Sequence, residues 1–301
     1  MRPQAEHLLT FARVARLGSV SAAAAEMGVT QPAVSAQLRL LVGAVGEPLF
    51  ARHRHGVRLT AAGEGLLPHA EAVVRALDGA GAYAEELRGV AAGRLAIAAT
   101  GTPAAHVLPP MLGAFHTRHP RVELSLRSGN SDQVLAMVGR GEVELGLVEG
   151  PLESLPPGLE AEPLMRDRLV LAVPRDHPLA GREVRPVDLD ALPLIWRERG
   201  SGTREVAQRA LRQAGIRIRG GLELMGAEAI REAVVSGLGV AFLSHLTVAR
   251  DVMAGHLAEA RVDLPGLTRD LALVRRPDEV LSRAAKRFLD EECAPLRSAM
   301  S

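Results

Sequence analysis

Apolar and polar positions alternate at helical spacing in three short segments at the start of the chain. An apolar stripe in residues 5–17 predicts a first helix, and an alanine-rich segment at residues 22–27 predicts a short second one, each followed by a glycine. Thr30 offers a hydroxyl N-cap and Pro32 fits a first helical turn, so a third helix is predicted to begin near Gln31. Helices joined by such tight turns are typical of the helix-turn-helix arrangement.

The polar face of the third predicted helix carries side chains that can contact duplex DNA. Gln31, Ser35 and Arg39 follow one another at intervals of four residues, opposite an apolar stripe, and Pro32 lies beside them. Glutamine can pair with adenine in the major groove, serine can contact a base edge or a phosphate, and arginine can bind phosphate or guanine. These four residues are therefore candidate DNA contacts.

A basic hairpin is predicted next, at residues 49–60, where Arg52, Arg54 and Arg58 surround a turn at Gly56. Such a wing would lie along the DNA backbone or enter the minor groove. The alternative is a small core of three ordinary helices with solvated arginines, which any single feature would favour. The order, the spacing and the wing together favour DNA binding, with Arg52 and Arg54 as the principal wing contacts.

The distribution of charge agrees with this interpretation. The 301 residues carry a net charge of only +1, but residues 1–62 contain seven arginines and three glutamates, which is +4 and leaves −3 for the rest. Aromatic residues make up 2%, too few for the stacking platforms of single-strand binders, so duplex DNA is the better partner. A single cysteine, no long apolar stretch and no signal-peptide pattern predict a cytoplasmic location.

A long helix is predicted after Thr60, with apolar residues in steps of four and three from Leu66 to Leu87. This heptad pattern indicates helices that pair along their length, although one helix packed on its own body is the alternative. A helix over residues 61–88 would span roughly 40 Å. Pro68 and the glycines at 79 and 81 predict a kink or fraying within it.

The remainder of the chain alternates between strand and helix patterns, which predicts two α/β lobes with a parallel sheet flanked by helices. The lobes would be joined by crossings near residues 163–168 and 264–270, with a cleft between them. The late segments 271–274 and 280–289 could return to the first lobe. The other predicted strands are residues 95–99, 122–126, 145–148, 169–173, 194–196, 222–225 and 240–243, and the helices are residues 107–116, 132–138, 203–214 and 227–235.

Three loops rich in glycine and hydroxyl residues follow predicted strands and precede predicted helices. Ligands of open α/β sheets bind at this edge, where helix N-termini present free N–H groups to a small anion or carboxylate. Any one of these loops is more simply explained as a helix cap, but three loops at equivalent positions favour an anion-binding site. The candidate effector-binding residues of these loops are Thr100, Gly101, Thr102, Ser128, Asn130, Ser201, Gly202 and Thr203.

A family resemblance rests on motifs that run in order through the first 63 residues. They are Leu8-x-x-Phe11-x-x-Val14-Ala15-x-x-Gly18-Ser19, Ala23-Ala24, Thr30-Gln31-Pro32-Ala33-Val34-Ser35, Pro48-Leu49-Phe50-x-Arg52 and Leu59-Thr60-x-Ala62-Gly63. This pattern resembles the winged helix-turn-helix signature of the LysR-type transcriptional regulators. Two positions depart from it, because Ala36 and Val42 replace the usual arginine and glutamate.

The second part of the chain resembles the periplasmic-binding-protein-like effector domain of the same family. The motifs are Gly139-x-Gly141-Glu142-x-Glu144-Leu145-Gly146-Leu147-Val148 and Ser236-Gly237-Leu238-Gly239-Val240-Ala241. Val148-Glu149-Gly150-Pro151, with the second and third glycine-rich loops, resembles the branch that governs sulfur or carbon assimilation, where small anions including sulfite, and phosphorylated metabolites, are effectors. The resemblance adds Glu149 to the candidate effector-binding residues. It implies a homodimer or homotetramer paired through the linker helix, with RNA polymerase as a possible further partner.

Two other classes of protein remain as alternatives: a metabolic α/β enzyme with an accessory basic domain, and a solute-binding protein, which would need an export signal. The chain lacks GxSxG, GxxxxGK[ST] and HExxH motifs, so no catalytic residues and no cofactor are expected. The pairs His116-x-x-His119 and His53-x-His55 lack further ligands nearby, and no metal site is expected.

The sequence therefore predicts a multidomain α/β protein. Residues 1–60 would form a winged helix-turn-helix DNA-binding domain and residues 61–92 a linker and dimerisation helix. Residues 93–301 would form a bilobal effector-binding domain, with lobe I at about 93–165 and 268–301 and lobe II at about 166–267. The expected function is transcription regulation by a sequence-specific DNA-binding protein that responds to a small, anionic effector.

Overall fold

The computed structural model describes residues 2–54, 56–87, 93–150, 155–218, 220–277 and 280–298. The chain divides into two units, Met1–Ala91 and Ala92–Ser301. Among the described residues no single helix is long and apolar enough to cross a membrane; α1 (Ala5–Leu17) and α2 (Val20–Glu26) pass that test only as a pair, bent by 117°.

Three helices open the first unit: α1 and α2 are followed by α3 (Gln31–Val45). Gly18 ends α1 in the left-handed conformation, and the Ser19 hydroxyl accepts a hydrogen bond from the Ala22 N–H at the start of α2. The second helix therefore begins two residues earlier than predicted. Thr30 stands at the N-cap of α3, but its side chain makes no capping hydrogen bond, contrary to the prediction.

A two-stranded antiparallel hairpin follows, formed by β1 (Phe50–His53) and β2 (Gly56–Leu59). It is held against the turn between α1 and α2 by a hydrogen bond from the Val57 N–H to the Gly18 carbonyl. Gly56 has φ +140°, and a Cβ there would lie 2.1 Å from the Gly18 carbonyl oxygen. Only glycine fits this contact, which fixes the wing against the helices.

The long helix α4 (Ala61–Leu87) is continuous through Pro68, Gly79 and Gly81, where the sequence predicts a kink or fraying. The Thr60 hydroxyl accepts a hydrogen bond from the Gly63 N–H, as a cap should. Leu66 and Ala70 pack in the core of the first unit with Phe11 and Leu41. The first residues of the predicted heptad pattern therefore contact their own unit. Residues 76–81 are exposed. The end of the predicted linker, residues 88–92, lies outside the described residues.

The second unit contains ten strands and seven α-helices among the described residues. The strands are β3 (Arg94–Thr100), β4 (Glu123–Gly129), β5 (Leu145–Glu149), β6 (Glu160–Pro174), β7 (Glu183–Val184), β8 (Ile195–Arg197), β9 (Leu222–Leu224), β10 (Ala241–Ser244), β11 (Leu257–Val262) and β12 (Thr268–Arg275). The helices are α5 (Leu108–Arg118), α6 (Ser131–Gly139), α7 (Gly202–Gln213), α8 (Ala227–Val235), α9 (His245–Ala254), α10 (Arg283–Phe288) and α11 (Ala294–Ser298), with a π-helix at Pro103–Val107, another at Leu289–Cys293 and a 3-10 helix at Pro186–Ala191.

Lobe I is built on strands in the order β4-β3-β5-β12-β6. The first three strands are parallel, as their βαβαβ pattern predicts, but β12 is antiparallel to both of its neighbours. The sheet is therefore mixed. The predicted segment 280–289 contains α10, whose Phe288 packs edge-on against Phe115 of α5 at 5.5 Å between ring centroids in the lobe I core.

The strand β6 belongs to both lobes. Its first part pairs with β12, and its last residues pair with β10 on one side and β11 on the other. The crossing predicted at residues 163–168 is therefore part of a continuous strand, and the one at 264–270 overlaps the start of β12. The sequence patterns also missed α9, β7 and β11, which complete lobe II.

Candidate DNA-binding and effector sites

The exposed face of α3 carries the candidate DNA contacts. Because Val34 and Leu41 are buried in the core, Gln31, Pro32 and Arg39 are exposed on the other side. Ser35 is half-buried on the same helix. The structure thus brings all four candidates to one helix, with amide, hydroxyl and guanidinium groups in the order that major-groove recognition can use.

Two pairs of arginines in the first unit differ in their surroundings. Arg13 and Arg16 both pair with Glu26, which neutralises part of the charge. Arg52 and Arg54 in the wing are exposed, and no ion pair to them exists within the described residues. The wing therefore carries positive charge that can face phosphate groups.

Three of the predicted effector segments meet at the carboxyl ends of strands in the second unit. Thr100 ends β3 and Thr102 follows it, Glu149 ends β5, and Ser201 precedes α7; each is at most 2% exposed. The N-terminus of α7 lies so close to β5 that a Cβ on Gly202 would be 1.7 Å from the Glu149 carbonyl oxygen. The two lobes are thus in backbone contact at this edge of the cleft.

A buried arginine that the sequence patterns missed connects these segments. The Arg269 side chain, 1% exposed, donates through Nε to Asp167 Oδ2 at 2.8 Å and through Nη2 to Glu149 Oε2 at 3.1 Å. Its Nη1 donates to Thr203 Oγ1 at 2.8 Å, and Nη2 also donates to Thr102 Oγ1 at 3.2 Å. One guanidinium therefore binds both carboxylates and contacts residues of both lobes.

The hydroxyl groups complete this network. Thr203 Oγ1 donates to Glu149 Oε1 at 3.1 Å, and Ser244 Oγ donates to Asp167 Oδ1 at 2.8 Å. All four oxygen atoms of the two carboxylates thus accept a hydrogen bond, as buried charges require.

Five buried polar atoms around the cleft have no hydrogen-bond partner among the described residues: Thr100 Oγ1, Ser201 Oγ, Arg197 Nη1, His106 Nε2 and Thr247 Oγ1. Such atoms are costly to bury unpaired, which points to a ligand. Arg197 directly follows the strand predicted at 194–196, so the strand-end rule could have identified it.

Arg197 is held in place by its neighbour. Its Nε and Nη2 donate to the Glu198 carboxylate at 2.8 and 2.7 Å, and Nη1 is turned towards Gly101, where a Cβ would lie 3.9 Å away. The pKa of Glu198 is lowered: burial raises it, but the hydrogen bonds from Arg197 and from the Gly226 N–H outweigh that effect. Arg197 Nη1, which has no partner among the described residues, is therefore held beside the first glycine-rich loop.

His106 lies on the π-helix that follows this loop, on the lobe I side. Its Nε2 is 3.7 Å from Glu228 Oε1 on α8 of lobe II, too far for a hydrogen bond. Burial lowers the pKa of the imidazole from its usual 6.5, and Arg250 and Arg231 oppose the raising effects of Glu228 and Asp167. The ring is therefore neutral at neutral pH.

Two of the predicted residues do not join the cluster. Ser128 is exposed on β4. Asn130 accepts a hydrogen bond from the Gln133 N–H and closes a capping box at the start of α6, while its Nδ2 reaches the Arg199 carbonyl at 3.5 Å. Asn130 is thus a helix cap that also touches the loop before α7.

The pair His116 and His119 shows no metal geometry within the described residues. His119 packs on Phe115 and contacts Glu291 at 2.9 Å, and no group of three or more potential metal ligands occurs within the described residues. His55 and Pro151 lie outside those residues.

Comparison with known proteins agrees with both parts of the structure. Residues 5–64 match the family "Bacterial regulatory helix-turn-helix protein, lysR family", and residues 88–291 match "LysR substrate binding domain". The HTH-type transcriptional regulator YeiE of Escherichia coli is 35% identical, with 94% of each chain covered. The HTH-type transcriptional regulator CbbR of Xanthobacter flavus is 36% identical, with 94% of this chain and 85% of the relative covered.

A solved structure is similar to the second unit. The regulatory domain of CcmR from Synechocystis PCC6803, in complex with 2-PG, is 30% identical, with a TM-score of 0.62, and the match covers 68% of this chain and 98% of that one. The named relatives are transcriptional regulators, which sets aside the enzyme and solute-binding alternatives. The chain belongs to the LysR family of DNA-binding transcriptional regulators, whose activity small-molecule effectors modulate.

Proposed function

We propose that residues 1–60 recognise operator DNA, that residues 61–92 pair two subunits, and that residues 93–301 bind a small anionic effector between the lobes. Gln31, Ser35 and Arg39 enter the major groove, and Arg52 and Arg54 contact the backbone. As a DNA-binding regulator, the protein would act in the cytoplasm. Exposure of residues 76–81 along α4 supports pairing of the linker helices.

The observation that carries the effector proposal is the group of unpartnered donors at one corner of the cleft, which we call the anion corner: Thr100 Oγ1, Ser201 Oγ and Arg197 Nη1. The N-terminus of α7 begins directly after Ser201 and adds free N–H groups and a favourable dipole. The carboxylate oxygens of Glu149 and Asp167 are directed at Arg269 and at hydroxyl groups, which bind all four of them.

The DNA-binding proposal is tested with the full chain and a duplex selected from a randomised pool, by fluorescence anisotropy over a range of KCl concentrations. Gln31→Ala should weaken binding to the selected duplex by about 1–3 kcal/mol and leave non-specific binding unchanged. Arg52→Ala and Arg54→Ala should each reduce the slope of log K against log salt by about 1.

Arg121, exposed in lobe I, provides the matched control, and Arg121→Ala should leave both quantities unchanged. Equal salt slopes for Arg52→Ala, Arg54→Ala and Arg121→Ala would contradict the proposed role of the wing.

The effector proposal is tested by thermal denaturation of the full chain with 2-PG, the compound in the CcmR complex, and with sulfate as an inorganic anion. A bound anion at 100 times its Kd should stabilise the protein by about 2.7 kcal/mol. Ser201→Ala and Thr100→Val should reduce that stabilisation, since each removes a hydroxyl from the corner.

Thr117→Val is the control, because Thr117 is exposed on α5 and its hydroxyl donates only to the Gly113 carbonyl. The anion corner is the wrong site if a stabilising anion acts equally on Ser201→Ala, Thr100→Val and the control.

A further inference from the structure

Two of the unpartnered atoms lie outside the anion corner. His106 Nε2 belongs to the π-helix of lobe I, and Thr247 Oγ1 belongs to the first turn of α9 in lobe II. The Thr247 residue is 3% exposed, and the surface of His106 Nε2 is completely covered. The proposed anion site uses neither of these atoms.

Several contacts place these two atoms at one junction. The helix α9 packs against the π-helix, and Leu246, next to Thr247, reaches the lobe I core. Arg250, one turn further along α9, acts electrostatically on His106. Glu228 approaches the same imidazole from α8 at 3.7 Å. Polar groups from three elements and both lobes therefore surround the junction of the π-helix with α8 and α9.

The chemistry of this junction suits an uncharged group that both donates and accepts hydrogen bonds. The imidazole is neutral, and Glu228 Oε2 already accepts a hydrogen bond from Arg231 Nε at 2.9 Å. Arg231 and Arg250 disfavour an ammonium group, and Glu228 disfavours a second carboxylate. A hydroxyl group can donate to the imidazole or to Glu228 and can accept from Thr247.

The junction lies a short distance from the anion corner. Arg197 Nη1 is next to Gly101, and His106 follows Gly101 by five residues along the same helical segment. At a rise of about 1.5 Å per residue, a helix advances roughly 7 Å from Gly101 to His106, a length that a short carbon chain can span.

On this basis, and building on the proposed effector site, we propose that the effector has two ends: an anionic head at the anion corner and a hydroxyl group at His106 and Thr247. The ligand class is then a short hydroxylated organic anion, and a bare inorganic anion would fill only part of the cleft. His106 and Thr247 determine specificity for the hydroxyl end.

The test is isothermal titration of the full chain with phosphate monoesters. Methyl phosphate measures the affinity of the anion corner for the anionic head alone. Hydroxyalkyl phosphates with two, three and four carbons are then compared with the alkyl phosphates of equal length. For at least one length the hydroxyl should raise affinity about tenfold over the alkyl analogue. Thr247→Val and His106→Leu should abolish that ratio and leave methyl phosphate binding unchanged.

Matched controls on α5 are Thr117→Val and His116→Leu, since both side chains are exposed there. The proposal is overturned if no hydroxyalkyl phosphate binds more tightly than its alkyl analogue, or if aminoalkyl or carboxyalkyl phosphates gain more affinity than the hydroxyalkyl ones. It is also overturned if Thr247→Val weakens the binding of methyl phosphate as much as it weakens the binding of the hydroxyalkyl phosphates. If methyl phosphate binds and Ser201→Ala weakens its binding, any of those outcomes disproves the hydroxyl site but not the anion corner. If no phosphate compound binds, the anion corner is disproved as well.

Discussion

Arg269→Met is expected to destabilise the effector domain by about 3–5 kcal/mol, because it leaves two buried carboxylates without their shared cation. The guanidinium bridges Asp167 and Glu149, and all three side chains are 1% exposed. Methionine preserves much of the apolar volume, so the loss reports charge and hydrogen bonding more than packing. Urea unfolding of the full chain, followed by circular dichroism, measures the effect.

Arg166→Met is the matched control. Arg166 lies on the same strand as Asp167, but its side chain is 76% exposed and its nearest carboxylate oxygen, on Asp270, is 4.0 Å away. It should change stability by no more than about 0.5 kcal/mol. The triple variant Arg269→Met, Asp167→Asn, Glu149→Gln should recover part of the loss. Equal unfolding midpoints for Arg269→Met and Arg166→Met would show that the buried network is unimportant for stability.

Gly202→Ala is expected to separate the start of α7 from the end of β5. The new Cβ would meet the Glu149 carbonyl oxygen at 1.7 Å and its carbon at 2.6 Å, and both are backbone atoms that no side-chain rotation can move. Overpacking of this kind costs about 1–3 kcal/mol, and it displaces Ser201 and Thr203 from the cleft. Thermal denaturation should show a lower midpoint and a reduced shift with 2-PG.

Gly113→Ala provides the comparison for this substitution. Gly113 is within α5, and a Cβ there would have no neighbour within 4 Å. Alanine should stabilise this helix by about 0.5–1 kcal/mol and leave effector binding unchanged. If Gly202→Ala has the same unfolding midpoint and the same shift with 2-PG as Gly113→Ala, the two lobes are not held in contact at this edge.

The first unit was the part most accessible from sequence, because its signals are local. The glycine at 18, the proline at 32 and the apolar stripe of α3 each act within a few residues, and the predicted limits of α1 agree with the structure. The second helix was misplaced because Ser19 caps it directly, while the alanine run that marked it is internal. Local patterns locate such elements to within about two residues.

The effector site was only partly accessible. The strand-end rule brought Thr100, Thr102 and Ser201 together correctly. It could not find Arg269, whose hydrogen bond to Asp167 joins residues 102 positions apart and therefore leaves no local pattern. The capping role of Asn130 was also missed, although Gln133, three residues later, is the sequence signature of a capping box.

The position of β12 affects how the chain is made. Among the described residues it is the last strand in chain order, yet it lies between β5 and β6 in the sheet, and the lobe I core also needs Phe288. On the ribosome, lobe II can finish folding while lobe I still exposes two unpaired strand edges. Translation that stops before residue 268 would therefore release an aggregation-prone product, and the last tenth of the chain determines whether the nascent protein becomes soluble.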